Sequence, residues 1–463
     1  MDFMNEKVPA GSVVANGLNE DPNGIPVLSQ EKAGTTFDQR DMARVGKTQE
    51  LRNLKHTSSG WLCVLGWQSS LASGSYLMAT QIQSLLILND SNYVFERWHG
   101  TLLVVAAASI AILFNTLFAK QLPLVERVML LFHICGFFAV LIPLWVLAPK
   151  TSAKVVFTEF QNNGGWSSMG LSALIGMTGP VFALIGPDSA VHMCKRILSP
   201  FLQSTDLIPA EETRDASRVL PLGMMSTLIL NGLTGWIMVI TFCFCIGNIE
   251  DAVNSPTGQP YIQVFYNATN SHAGATVMSA IIVFMTLCAI ITNLATVSRQ
   301  TFAFARDFHD SRVARFLSHV NPRYNIPLNA VYLSFILNCL ISLLNIGSSV
   351  AFNAVASLAT AALLSSYIIS ISCVTLKRWR GEPFPSKRWS LGKWGATLNV
   401  VAVLYLCVAC FFSFWPLYKE VTAETFNWSI VIYSAVIWYA VSYFYVKGRR
   451  QYDGPVVHVN KDI

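Results

Sequence analysis

SMGLSALIGMTGPVFALIGPDSAVHM, residues 168 to 193, is apolar over most of its length yet carries Gly176, Gly179, Pro180, Gly186 and Pro187. Proline removes an amide donor and clashes with the preceding turn, and glycine tolerates open backbone. Gly179 and Pro180 therefore predict a break in a helix long enough to cross a bilayer. Entered from Ser168, the break lies about 11 residues, or roughly 16 Å, deep, near the middle of the hydrocarbon. Backbone groups freed there meet no water, so such a break persists where it lines a cavity or meets a ligand. A half-helix N-terminus suits a carboxylate, and open carbonyls suit an ammonium or a coupling ion. The competing reading is a proline kink satisfied by neighbouring helices. On the first reading, Gly176, Gly179, Pro180, Val181, Phe182 and Ala183 contact a small solute, with the Phe182 ring available to a cation. Asp188 follows the second Gly-Pro pair, deep enough that an ionised carboxylate needs a partner or water. It is either a gating or proton-linked residue or an interfacial helix cap.

The rest of the chain has the same character. Of 463 residues 53% are hydrophobic and 13% charged, against roughly a quarter charged in ordinary soluble domains. The apolar residues form runs of about 20 or more rather than amphipathic stripes. Ten such runs predict ten membrane helices: Gly60 to Leu88, Thr101 to Ala119, Leu124 to Leu147, Ser168 to Met193, Leu222 to Ile246, Ala273 to Ser298, Pro327 to Ile346, Ser349 to Leu376, Gly395 to Trp415 and Phe426 to Val446. The fold expected is an all-α integral membrane protein spanning residues 57–450, with a polar N-terminal tail (1–56) and a short C-terminal tail (451–463). The tail has no apolar centre of a signal-peptide kind.

Lys and Arg fix the expected orientation, because cationic loops stay cytoplasmic. Arg299, Arg306, Arg312, Arg315 and Arg323 share one loop, and Lys377, Arg378, Arg380, Lys387, Arg388 and Lys393 another. Lys447, Arg449 and Arg450 follow the last run, whereas Gly247 to His272 has Glu250 and Asp251 but no Lys or Arg. Single crossings put all three basic segments on one side and both termini in the cytoplasm. Asn89, Asn267 and Asn427 begin Asn-x-Ser/Thr triplets on the opposite side, where glycosylation occurs. Trp394, Trp415, Trp428 and Trp438 sit near run ends, either as interfacial anchors or as lipid-facing bulk.

Gln68, Ser69, Ser70, Ser73 and Ser75 form a polar stripe in the first run, facing either a permeation path or neighbouring helices. Asn293 and Thr296 lie one turn apart in the sixth run and are candidates for the same cavity as Gln68. His133 and His192 are proton-relay candidates or packing residues, and His133 is assigned no role. The cysteines fall mostly within apolar runs, among them Cys243, Cys245, Cys407 and Cys410, and read as small buried hydrophobes. No metal, cofactor or nucleic-acid partner is expected. Without a Walker loop, zinc signature or nucleophile elbow, primary pumping and hydrolysis lack their residues, so an enzyme is not expected.

Three stretches together resemble the amino acid-polyamine-organocation permeases, in particular their fungal amino acid, choline and γ-aminobutyrate branch. They are GWLCVLGWQ at Gly60 to Gln68, GPVFALIGPDSAVHM at Gly179 to Met193 and SRQTFAFARD at Ser298 to Asp307. The resemblance runs from about Asp41 to Arg450. It implies a LeuT-like fold of two inverted five-helix repeats plus two helices, with solute held between the first and sixth family spans and usually moved with a proton. On it, Gly179 and Pro180 belong to the sixth family span, and Arg299, Arg306 and Asp307 to a cytoplasmic loop motif. The chain departs from that pattern twice. DMARVGKTQELRNLKH leads directly into a stretch like the third family span, so the repeat fold is expected to be incomplete, lacking the first two. Cys194 to Pro209 intervenes before an acidic stretch and reads as a retained intron or an ordinary loop insertion. The expected function is transport of an amino acid, γ-aminobutyrate or choline, with plasma membrane the foremost location and an organelle membrane the alternative. The other reading is a non-transporting isoform or sensor that associates with full-length permeases.

Overall fold

The structure, a computed structural model, describes residues 53–193, 216–306, 311–321, 324, 326–347, 351–382, 390–423 and 425–448. Asp307, the Cys194 to Pro209 insertion, the C-terminal tail and nearly all of the N-terminal tail lie outside the described residues. The helices used below are α1 (Asn53–Asn89), α2 (Arg97–Thr116), α3 (Leu122–Leu147), α4 (Met169–Gly176), α5 (Thr178–Leu184), α6 (Ser189–Met193) and α7 (Ala216–Cys245). They continue with α8 (Pro260–Thr269), α9 (His272–Arg306), α10 (Leu328–Ser342), α11 (Leu344–Gly347), α12 (Ala351–Trp379), α13 (Trp394–Ser413) and α14 (Ser429–Tyr443). Among the described residues the only strand-like pairing is an isolated bridge between Asn321 and Ile326.

Ten segments are long and apolar enough to cross a membrane, and they fall on the ten runs read from the sequence. At 1.5 Å per residue, α1 with 37 residues and α9 with 35 reach roughly 50–55 Å, well beyond a hydrocarbon core of about 30 Å. These long helices make the centre of the molecule. α1 packs against α9, α12, α2, α10 and α14. Cys63, Trp67, Leu71 and Met78 of α1 meet Ile290, Ile291, Leu294 and Val297 of α9, with Ala107 and Ala111 of α2 and Leu363 of α12. Small residues permit the close approach: a Cβ on Gly66 would stand 2.6 Å from Leu363 Cγ and 3.1 Å from the Leu363 amide nitrogen.

Burial separates centre from rim. Half of the most apolar stretch of α1 (50%) and of α12 (56%) is buried, against 11% in α3, α7, α13 and Met169–His192. The outer helices thus offer apolar side chains such as Leu131, Ile229, Trp236 and Leu404 to lipid.

Side-chain contacts identify the two ends of the bundle. Trp61, early in α1, lies edge-on to Phe304 of α9 at 5.2 Å and to Tyr439 and Tyr443 of α14 at 5.4 and 6.4 Å. At the far end, His272 donates to the Leu88 carbonyl at 2.7 Å, and Asn89 pairs with Thr276. α1 is therefore antiparallel to both α9 and α14. Arg306 and Lys447 terminate helical segments at the Trp61 end, so single crossings do bring basic segments to one face. α8 caps the opposite end, where Val264, Phe265 and Ala268 pack on Val140 and Leu144 of α3, Cys245 of α7 and Ala275 and Met278 of α9.

Candidate functional site at an interrupted helix

Between Met169 and Met193 the chain forms three short helices rather than one. Ser168 caps α4 by accepting from the Leu171 amide at 3.2 Å. A turn at Met177, still in the right-handed helical region (φ −61°, ψ −21°), separates α4 from α5. Gly179 and Pro180 lie in the first turn of α5, where a missing N–H costs little because first-turn donors lack intrahelical acceptors anyway. The expected break at Gly179 and Pro180 is thus displaced: the helices divide at Met177, just before the pair. Helical backbone is lost at the second Gly-Pro pair: Ile185 is extended (φ −75°, ψ 150°) and Gly186 has φ +100°, a conformation that favours glycine. This opening lies on the Trp61 side of the centre of α1, since His192 of α6 meets Cys63 and Trp67 there.

Asp188 immediately precedes α6, and its neighbours supply the partners that a carboxylate at this position needs. Tyr367 of α12 donates to Oδ1. His192, one turn on, places Nε2 3.2 Å from Oδ2, with the His192 side chain 11% and the Asp188 side chain 19% exposed. The same Nε2 lies 3.8 Å from the Cys63 sulfur, and the imidazole meets the Trp67 ring edge-on at 6.1 Å. Gly186 passes directly over Trp67, where a Cβ would stand 3.1 Å from the ring. Asp188 is therefore tied to α12 directly through Tyr367 and to α1 through His192, which meets Cys63 and Trp67.

The predicted solute residues divide by face. Val181 is buried against Leu364 of α12 and Leu406 and Ala409 of α13, and Phe182 is half-buried. Gly176, Gly179, Pro180 and Ala183 are exposed, and a Cβ on either glycine would meet no atom within 4 Å. Gln68 is turned elsewhere: its Nε2 donates to Ser334 of α10 at 2.9 Å and Thr301 of α9 at 3.3 Å. Asn293 donates to Ser70 at 3.0 Å and Asn338 to Ser75 at 3.1 Å. The stripe on α1 therefore bonds neighbouring helices, the second of its two readings.

Of the loop motif, Arg299 is half-buried near the end of α9, and the Arg306 guanidinium lies 5.9 Å from the Phe302 ring. The glycosylation candidates are engaged. Asn427 donates to the Ser413 and Trp415 carbonyls, Asn267 accepts from Gln263, and Asn89 bonds Leu85 and Thr276. Cys63, Trp67 and Tyr367 were not legible as site residues, because Asp188 and Tyr367 are 179 positions apart. The i, i+4 phase of Cys63 and Trp67 gives them one helix face but no destination.

Among the described residues, ten apolar membrane-crossing segments, one of them interrupted and hydrogen-bonded to the central helix α12, define a multi-pass membrane protein of the transporter class. The pattern of the family described as amino acid permease matches residues 51–436, and the chain belongs to that family, within the amino acid-polyamine-organocation superfamily. It is similar to a candidate amino acid/polyamine transporter of Macrophomina phaseolina, 28% identical over 80% of this chain and 78% of the relative. The choline transporter of Saccharomyces cerevisiae is 27% identical over 82% of this chain, which spans 64% of that relative's length. Amino-acid permease 2 of Neurospora crassa is 27% identical over 86% of this chain and 70% of its own. The chain is thus a permease-type transporter and not an enzyme.

Proposed function

We propose that the protein is a secondary active permease for a small nitrogenous solute, an amino acid, γ-aminobutyrate or choline, moved with a proton. The observation that carries this reading is the carboxylate of Asp188, set at the unwound Ile185–Asp188 segment and held by Tyr367 and His192. A protonatable group hydrogen-bonded to α12 through Tyr367 and to α6 through His192 senses both its proton and the position of α6. Gly176, Gly179, Pro180 and Ala183 offer a side-chain-poor face on which solute meets backbone, with Val181 and Phe182 behind it. Gln68 and Asn293 act at one remove, by holding α1 to α10 and α9. We assign the end with Trp61, Arg306 and Lys447 to the cytoplasm and the plasma membrane as the location, on the distribution of basic residues.

Uptake of labelled choline, γ-aminobutyrate and amino acids, in cells lacking their own carriers for each, tests the reading. Saturable uptake of at least one solute that a protonophore abolishes, reduced ten-fold or more by Asp188→Asn, is expected. Absence of uptake for all three classes by chain that reaches the membrane would sink it. The exposed small-residue face of α4 and α5 also favours a second reading, association with a full-length permease without transport. Co-purification with such a relative in the absence of uptake would select it.

A further inference from the structure

We propose that Cys63, Asp188 and His192 form a binding site for a divalent cation of the zinc class. The Cys63 sulfur, His192 Nε2 and a carboxylate oxygen of Asp188 all lie within 4.8 Å of one another. Sulfur to nitrogen is 3.8 Å and nitrogen to Oδ2 is 3.2 Å. Around a tetrahedral zinc ion, with Zn–S about 2.3 Å and Zn–N and Zn–O about 2.0–2.2 Å, ligand atoms stand roughly 3.3–3.6 Å apart. The imidazole nitrogen thus already stands near the required spacing from both the sulfur and the carboxylate oxygen, and those two lie within 4.8 Å of each other.

The donor set selects the ion. A thiolate, an imidazole and a carboxylate suit borderline-soft ions such as Zn²⁺, Co²⁺ and Cd²⁺, whereas Mg²⁺ and Ca²⁺ prefer oxygen alone. On binding, the Cys63 thiol releases its proton to water as the metal–sulfur bond forms, and Asp188 supplies the second negative charge. The filled site is then neutral overall, which lowers the cost of placing a divalent ion among half-buried helices. Tyr367 donates to Oδ1 of Asp188, leaving Oδ2 toward the histidine, the arrangement by which an outer hydrogen bond orients a ligating carboxylate. Three protein donors leave a fourth position open to water or to a ligand.

The site is unlike a surface chelate in what it joins. Cys63 belongs to central α1, while Asp188 ends the unwound segment and His192 lies in α6, which follows it. An ion there clamps the interrupted helix to the scaffold, and its binding can be read without any transport assay.

The test is titration of the reduced, tag-free full chain in detergent with Co²⁺, followed by displacement with Zn²⁺. One equivalent of Co²⁺ is expected to give the visible bands of a tetrahedral ion with a thiolate-to-cobalt charge-transfer band, bleached by Zn²⁺. Cys63→Ala is expected to lose the charge-transfer band, His192→Gln to weaken binding ten-fold or more, and Cys288→Ala to change nothing. Tyr367→Phe keeps all three ligands and is expected to retain the band with affinity lowered about 10–100-fold. A chain with no thiolate band, or with the band intact in Cys63→Ala, overturns the proposal. Should Cys63→Ala fail to fold, maleimide labelling of the unmutated chain mapped by mass spectrometry reads the same contact. Zn²⁺ is then expected to protect Cys63, and unaltered labelling at Cys63 overturns the site.

Discussion

Asp188 shows how one residue's behaviour is set by residues far along the chain. Its carboxylate accepts from Tyr367 and faces His192, and removing a hydrogen bond to a charged group costs about 1.5–3 kcal/mol. Tyr367→Phe is expected to lower stability by that order, read as a fall in thermal unfolding temperature in detergent; an unchanged midpoint would show that water replaces the phenol. Tyr261 of α8, outside the ten spans, makes the opposite case. Its hydroxyl is buried with no hydrogen-bond partner among the described residues, and burial pushes the phenol above the ordinary tyrosine range. Because a raised pKa means that the folded chain holds the protonated form, this group's stability contribution is constant below about pH 10 and is lost progressively as pH rises above it toward the raised value of the folded chain. Tyr261→Phe removes an unsatisfied buried hydroxyl, so stability at neutral pH is expected to be unchanged or raised by about 1 kcal/mol, and the alkaline loss to shrink. A marked destabilisation would mean that the hydroxyl is solvated.

At the scale of the element, the interrupted helix and the α1–α12 contact both follow from glycine and proline used differently. Gly179 and Pro180 enter a first helical turn that tolerates a missing donor, so the first Gly-Pro pair only kinks the chain. Gly186 needs its positive φ and its clearance over Trp67, so the second pair opens it. Gly66 is helical but stands against the Leu363 backbone, which cannot yield as a side-chain end can. Gly66→Val is expected to force α1 from α12 and to cost about 1–3 kcal/mol, seen as a lower unfolding temperature and loss of monodispersity in detergent. Gly179→Ala, in open space, is the matched control expected to leave both unchanged.

For the whole molecule, the consequence is orientation. Trp61, Phe304 and Tyr443 gather the start of α1 and the ends of α9 and α14 at one end, and Arg306 and Lys447 lie there too. Epitope tags on either terminus are expected to resist protease added outside intact cells, while a tag in the 254–258 loop is cleaved. Cleavage of the terminal tags instead would invert the assignment. The outer helices α3, α7 and α13 hold few buried residues, so substitutions of their exposed leucines and isoleucines are governed by lipid rather than by packing.

Ten crossings, the helical class and the gathering of positive charge were legible in the sequence because each follows from local content. About 20 apolar residues must find hydrocarbon, and Lys and Arg mark loops without reference to any distant residue. The family motifs at Gly60 to Gln68, Gly179 to Met193 and Ser298 to Asp307 were legible for the same reason. Which Gly-Pro pair opens the helix was not, since a proline in a first turn and one in a helix interior look alike until capping and neighbours are known. Gln68 allowed both a cavity and a neighbouring helix and Asn293 was a candidate for the same cavity; they bond to Ser334 and Ser70, and the choice was not legible because the face a polar residue presents depends on which helix arrives beside it. The meeting of Cys63, Asp188, His192 and Tyr367 was decided by tertiary structure alone. Three helical elements separated by more than a hundred residues had to pack before their donors could stand within ångströms of one another.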